Sequence, residues 1–352
     1  MVASERWLAM LRGEKTDRIP VIPAILGHCA KVMGKPDLGD FYTKPKFNIQ
    51  AQMLARDLYK YDQPPFILDP GYFTECWGGK VLQPYNPKMG APVPIQPAAK
   101  NAEELEKLEI PDPRKAAWAK EFREMIRLAV EQKEMPWVTI GGGWISMTAG
   151  MVIELETFMM WLIEEPQLAK KALALTAEYG YVLTESIVED FGADTWVPWD
   201  ANPTDSNVLV NAKMFEEFPL PYVKKMHEKM LGLGIPSIVT HWCADHTQNI
   251  NAGHIEKIPN GDNGLLSFGP EVPMDVLVER FGKDYNLMGN INPPLMMTST
   301  YDEWLATCKD NVDVGIKAEK GYALGVGCEL PPPAPPSNVF GLVKAAELYG
   351  KY

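Results

Sequence analysis

The sequence predicts an α/β fold, a (β/α)8 or TIM barrel, and three observations carry that expectation. The chain has 352 residues, a length that one barrel with insertions can fill. Eight short β-branched or aromatic runs alternate with long amphipathic segments, which is the pattern of a parallel sheet. No GxGxxG follows the first run and no glycine cluster makes a P-loop, so the usual reason to prefer an open doubly wound sheet is missing. In chain order, after an N-terminal extension, strands are expected at 21–23, 66–69, 137–141, 195–199, 238–242, 265–268, 286–289 and 322–326. Helical patterns occupy 48–59, 113–133, 148–162, 166–190, 212–233, 247–257, 272–281 and 301–311, and 337–348 closes the chain. Prolines at 84, 87, 92, 94, 97 and 111 mark 77–111 as an insertion beyond the second strand, within a single domain spanning 1–352.

Composition narrows the function. A net charge of −12 repels phosphate backbones and anionic headgroups, which argues against nucleic acid and membrane surfaces as partners. The uncharged stretch 135–153 could imitate a membrane span. Its glycines 141–143 and Thr139, Ser146 and Thr148 read better as a strand, a glycine turn and a helix start. Five scattered cysteines, Cys29, Cys76, Cys243, Cys308 and Cys328, do not look like a secreted disulfide framework, and Glu5 and Arg6 precede no apolar signal core. A cytoplasmic enzyme is the expectation.

The sharpest chemical feature is Thr240-His241-Trp242-Cys243 at the end of an apolar run. Along an extended chain, residues i and i+2 point the same way, so His241 and Cys243 can converge on one metal. A lone His-x-Cys is also common in ordinary cores. Cys328 strengthens it, because it follows the eighth strand and the C-terminal ends of barrel strands five and eight share one mouth. One imidazole and two thiolates leave the fourth position of a tetrahedral zinc open, as in catalytic sites. Such a zinc can hold a thiol as thiolate or act as a Lewis acid on an ether, and the residues leave both open. Cys29, Cys76 and Cys308 read as buried fillers.

These residues, with Gly327-Cys328-Glu329-Leu330-Pro331-Pro332, Met288-Gly-Asn-Ile-Asn-Pro293, Thr16-Asp17-Arg18-Ile19-Pro20 and Phe158-Met-Met-Trp-Leu-Ile-Glu-Glu-Pro166, resemble the uroporphyrinogen decarboxylase superfamily over nearly the whole chain. The resemblance is to its zinc-dependent cobalamin methyltransferase branch, which includes methylcobalamin:coenzyme M methyltransferases. It implies a TIM barrel, zinc on His241, Cys243 and Cys328, and methyl transfer to or from the cobalt of a corrinoid carried by a separate small protein, in anaerobic one-carbon metabolism. Some members of that branch carry an acidic zinc ligand after strand six, where this chain has Glu271. They usually follow the zinc cysteine with Gly-Asn, where this chain has Ala244-Asp245-His246, and His246 is either a neighbour of the zinc shell or a surface residue. The arginine-rich N-terminal signature of the decarboxylases is replaced by Ile22-Pro-Ala-Ile-Leu-Gly-His28, so a polycarboxylate substrate lacks its cationic grip.

Asp69 and Asp200 stand at strand ends, where each either serves catalysis or caps the next helix. Glu75 resembles a family position in the second βα loop, and His28 follows the first strand. Trp144, Trp199 and Trp242 near strand ends are rim packing or, if they face the cavity, a surface for a ring-bearing or quaternary-ammonium methyl donor. The run 331–336 reads as a rigid loop holding Cys328. The leading expectation is therefore a zinc methyltransferase acting between a small thiol or methylated donor and a corrinoid protein. A metal-free decarboxylase using Asp69 or a neighbour, and a non-enzymatic corrinoid or small-ligand binding protein, are the alternatives.

Overall fold

A computed structural model describes residues 1–140 and 145–352. The expected glycine turn at 141–143 and Trp144 lie outside the described residues. Among the described residues there are nine strands: β1 Phe66–Ile67, β2 Lys80–Leu82, β3 Val93–Gln96, β4 Trp137–Thr139, β5 Val197–Ala201, β6 Val239–Trp242, β7 Leu265–Phe268, β8 Asn286–Ile291 and β9 Tyr322–Val326. Seven of them form one parallel sheet in the order β1-β4-β5-β6-β7-β8-β9. Parallel strands need long crossovers, and the amphipathic helices supply them. The sheet curls until Val21 bridges Leu324 of β9 in parallel, which gives the barrel-type architecture that the alternation predicts.

The expected first strand at 21–23 shrinks to that one bridge. Pro20 and Pro23 flank it and offer no N–H to a ladder. Side chains take over the seam toward β1. Val21 N–H donates to the Asp62 carboxylate at 2.8 Å, and the Gln63 amide pairs with both backbone groups of Ile25 at 2.9 and 3.0 Å. Arg6 and Arg18 in turn hold Asp62 at 2.5 and 2.7 Å.

Three expected helices break, and the segment 247–257 is one of them, divided into the helix Thr247–Asn251 and the 3-10 turn Ile255–Lys257. The pattern over 148–162 is two helices bent by 112° between Ser146–Ile153 and Leu155–Glu164, with Glu154 at φ 124 between them. The segment 212–233 divides into Ala212–Glu217 and Pro219–Gly232, because Pro219 lacks the N–H that a continuous helix needs. The segment 77–111 holds the antiparallel pair β2–β3 and the helix Ala102–Glu106, whose Glu104 N–H is capped by Asn101 at 3.0 Å. Pro94 is tolerated because β3 pairs on one side only. Among the described residues no single helix is long and apolar enough to cross a membrane.

Candidate functional site

Register brings the site together. In the parallel ladders Ala201 pairs with His241, His241 with Ser267, and Ser267 with Met288, so one level of the barrel interior collects the four side chains. Alternate residues face outward. Thr240 donates to Asn260 at 2.6 Å, and Trp242 stacks on Phe268 at 6.5 Å on the helix side of the sheet.

The donor atoms of His241, Cys243 and Cys328 lie within 4.8 Å of one another. The two sulfurs are 3.9 Å apart, close to the roughly 3.8 Å that a tetrahedral zinc with bonds of about 2.3 Å requires. Ser267 Oγ engages His241 Nδ1 at 3.1 Å, and the ring lies parallel to Trp199 with centroids 5.9 Å apart. His241 Nε2 is buried and has no protein partner. The ring is thus held by one nitrogen while the other stays available, an arrangement suited to a metal ligand. The hydrogen bond from Cys243, with His241 beside it, draws the Cys328 thiol below its ordinary range, and the same bond raises Cys243. Cys243 follows β6 directly, and Ala244 turns sharply at φ 65 to send its N–H back to it. Glycine adopts such a φ without steric cost, whereas Ala244 holds it with a side chain.

The donors face a cavity of about 200 Å3, and its walls are mainly apolar: Phe66, Leu68, Trp137, Met147, Trp199 and Met288 among others. Glu329 reaches the same cavity and accepts from Gly27 N–H at 3.2 Å, and burial pushes its carboxyl up to about 8. Ser267 and Glu329 were not singled out from the sequence. Counting strand register from His241 would have found Ser267, and adjacency to Cys328 marks Glu329.

The structure places the other sequence candidates elsewhere. Asp200 points out of the barrel, since its neighbours Trp199 and Ala201 point in, and it pairs with His227 at 2.8 Å, both fully buried. Asp69 turns into its own loop, accepting from Gly71 and Phe73 N–H at 2.8 and 3.3 Å, and burial raises it to about 7. Glu75 accepts from Val81 N–H at 3.1 Å and from the Trp118 indole. None of the three lines the cavity. Glu271 is exposed and stands outside the three-donor group, near enough to Cys243 to raise it further. His246 is buried, with Nε2 on Asn202 O at 3.1 Å and Nδ1 on Asn249 at 3.0 Å, and burial lowers it to about 4. His28 ties Pro332 O to the Tyr59 hydroxyl at 2.9 and 2.8 Å, which fixes the proline loop behind Cys328. Trp199 reaches the cavity, whereas Trp242 is packed outside it.

Fold and site together define a parallel α/β barrel with a His/Cys donor cluster at the C-terminal ends of its strands. The chain belongs to the uroporphyrinogen decarboxylase (URO-D) family, whose model matches residues 3–349. It is 25% identical over 266 residues to a methylcobamide:CoM methyltransferase MtbA of Methanosarcina acetivorans, covering 73% of this chain and 72% of that protein. It is also 25% identical over 180 residues to the MtbA of Methanosarcina mazei, covering 50% of this chain and 48% of the relative. A solved methyltransferase from Methanosarcina mazei shares the fold at TM-score 0.83 and 20% identity, covering 99% of each chain. A B12-independent methionine synthase from Shewanella sp. W3-18-1 shares it more distantly, at TM-score 0.52 and 12% identity over 94% of this chain and 95% of that one.

Proposed function

We propose that this chain is a zinc-dependent methyltransferase that moves a methyl group between a small molecule and the cobalt of a corrinoid held by a separate small protein. The observation that carries the reading is the convergence of His241, Cys243 and Cys328, with an unpartnered Nε2, on one apolar cavity. The names of the MtbA relatives support the reaction class. Zinc bound by these donors would hold a thiolate or polarise the heteroatom of a methylated donor. Ser267 and Trp199 fix the His241 ring, Ala244 N–H steadies Cys243, and the aromatic walls keep water from the small molecule. Glu271, whose charge raises Cys243, is the residue we assign to the rim beside it. A reducing cytoplasm keeps both cysteines as thiols.

The decarboxylase alternative is less favoured, because Asp69 is committed to its own loop and, among the described residues, no Lys or Arg lines the cavity for a polycarboxylate. The test is metal content together with turnover. About one zinc per chain by mass spectrometry of the metal, lost on His241→Ala, Cys243→Ala or Cys328→Ala together with any change in the corrinoid spectrum, is the expected result. Full activity in a metal-free triple variant would remove the zinc reading. Ligand binding with no turnover in the zinc-loaded protein would favour a binding protein.

A further inference from the structure

The charge and shape of the cavity say more about what enters it, and this step rests on the methyltransferase reading. Its volume of about 200 Å3 exceeds the roughly 150 Å3 in which an apolar protein cavity takes up benzene, leaving room for one ring with small substituents. Phe66, Trp137 and Trp199 supply aromatic walls, with Phe66 and Trp199 centroids 4.7 Å apart and Phe66 and Trp137 5.6 Å apart. Leu26, Leu68, Met147 and Met288 add apolar surface, and among the described residues no Lys or Arg lines it. Glu329, the one carboxyl side chain among the described lining residues, offers an anion no counter-charge. A sulfonate or carboxylate entering this space would lose its hydration and gain no counter-charge, whereas an uncharged ring loses little hydration and gains contact. Besides Tyr72, Ser267 and Glu329, the polar side chains of the described lining are His241, Cys243 and Cys328, whose donor atoms cluster and offer a ring heteroatom a place to sit.

We propose that the small-molecule substrate is an uncharged single-ring aryl methyl ether, bound with its ring against Phe66, Trp137 and Trp199 and its ether oxygen toward the His/Cys cluster.

The experiment uses the zinc-loaded full chain and three probes: guaiacol, 2-mercaptoethanesulfonate and benzyltrimethylammonium. Titration calorimetry and tryptophan quenching are expected to show guaiacol binding at least tenfold more tightly than the anion or the cation. Leu68→Trp, which fills the cavity, should weaken guaiacol at least tenfold in a variant that melts like the parent. In the turnover arm guaiacol and cob(I)alamin give catechol and methylcobalamin. The C–O electron pair stays on oxygen, which takes up one proton, and cobalt supplies the pair for the new Co–C bond. Equal or tighter binding of the sulfonate or the ammonium probe, or no binding of guaiacol, overturns the proposal. Methylation of the sulfonate thiol by methylcobalamin with guaiacol inert overturns the proposal and leaves the methyltransferase reading standing. Guaiacol binding in a chain that takes up no zinc and transfers no methyl group in any arm supports the cavity assignment and defeats the methyltransferase reading.

Discussion

Ser267 is a small residue with a large assigned duty, since its hydroxyl sets which His241 nitrogen faces the cluster. Groups that orient a metal-bound histidine typically change affinity about 10- to 100-fold when removed. Ser267→Ala is therefore expected to weaken zinc binding by about that factor in competition with a chromophoric chelator, with the melting temperature unchanged. Asp69 makes the opposite kind of prediction. Its folded-state pKa of about 7 lies above the ordinary 3.8, so the folded chain holds a proton that the unfolded chain releases between those values. The stability linked to that proton is full below about pH 4 and is lost as pH rises to about 7. Asp69→Asn keeps an acceptor for Gly71 and Phe73 N–H and removes the titration. Relative to wild type, the variant should gain up to about 1.4 kcal/mol per pH unit across that window in urea melts at a series of pH values.

At the scale of elements, β9 and the segment around Val21 close the sheet where the ladder is thinnest. Gly325 faces Ile22, and a Cβ there would sit 2.2 Å from the Ile22 carbonyl oxygen, which is backbone and cannot swing away. Gly325→Ala should destabilise the chain by about 1–3 kcal/mol and, because Cys328 lies three residues on, reduce zinc uptake in parallel. Unchanged melting and metal content would show that the seam relaxes freely. The same region explains what was legible in the sequence. Strands at 265–268 and 322–326 are apolar runs between turn residues, and the structure gives β7 and β9 at those bounds. The 21–23 run has strand composition too, yet prolines on both sides hold it to one bridge. His241 and Cys243 could be paired by alternation alone. Asp200 obeys the same alternation, but its outward direction shows only once Trp199 and Ala201 are known to face inward. The helix break at Glu154 had no proline or glycine to announce it.

For the molecule as a whole, the core is a continuous apolar cluster running from Trp7 to Ala346, whereas the three donors sit at one end of the barrel. Folding does not depend on a metal in a chain with this much buried surface. Removing zinc with a chelator is expected to abolish methyl transfer while far-ultraviolet circular dichroism keeps its barrel signature. Melting should fall only by the linkage between metal and fold, and zinc should restore it in a concentration-dependent way. Loss of secondary structure on chelation would make the site structural.

The seam where the Gln63 amide stands in for a missing stretch of backbone has one more consequence. A ladder built from a side chain can let go by a rotamer change, without moving the strands on either side of it. Deuterium should therefore replace the Ile25 amide proton earlier than those of β6 or β7, making the junction of first and last barrel segments the spot where this cylinder breathes.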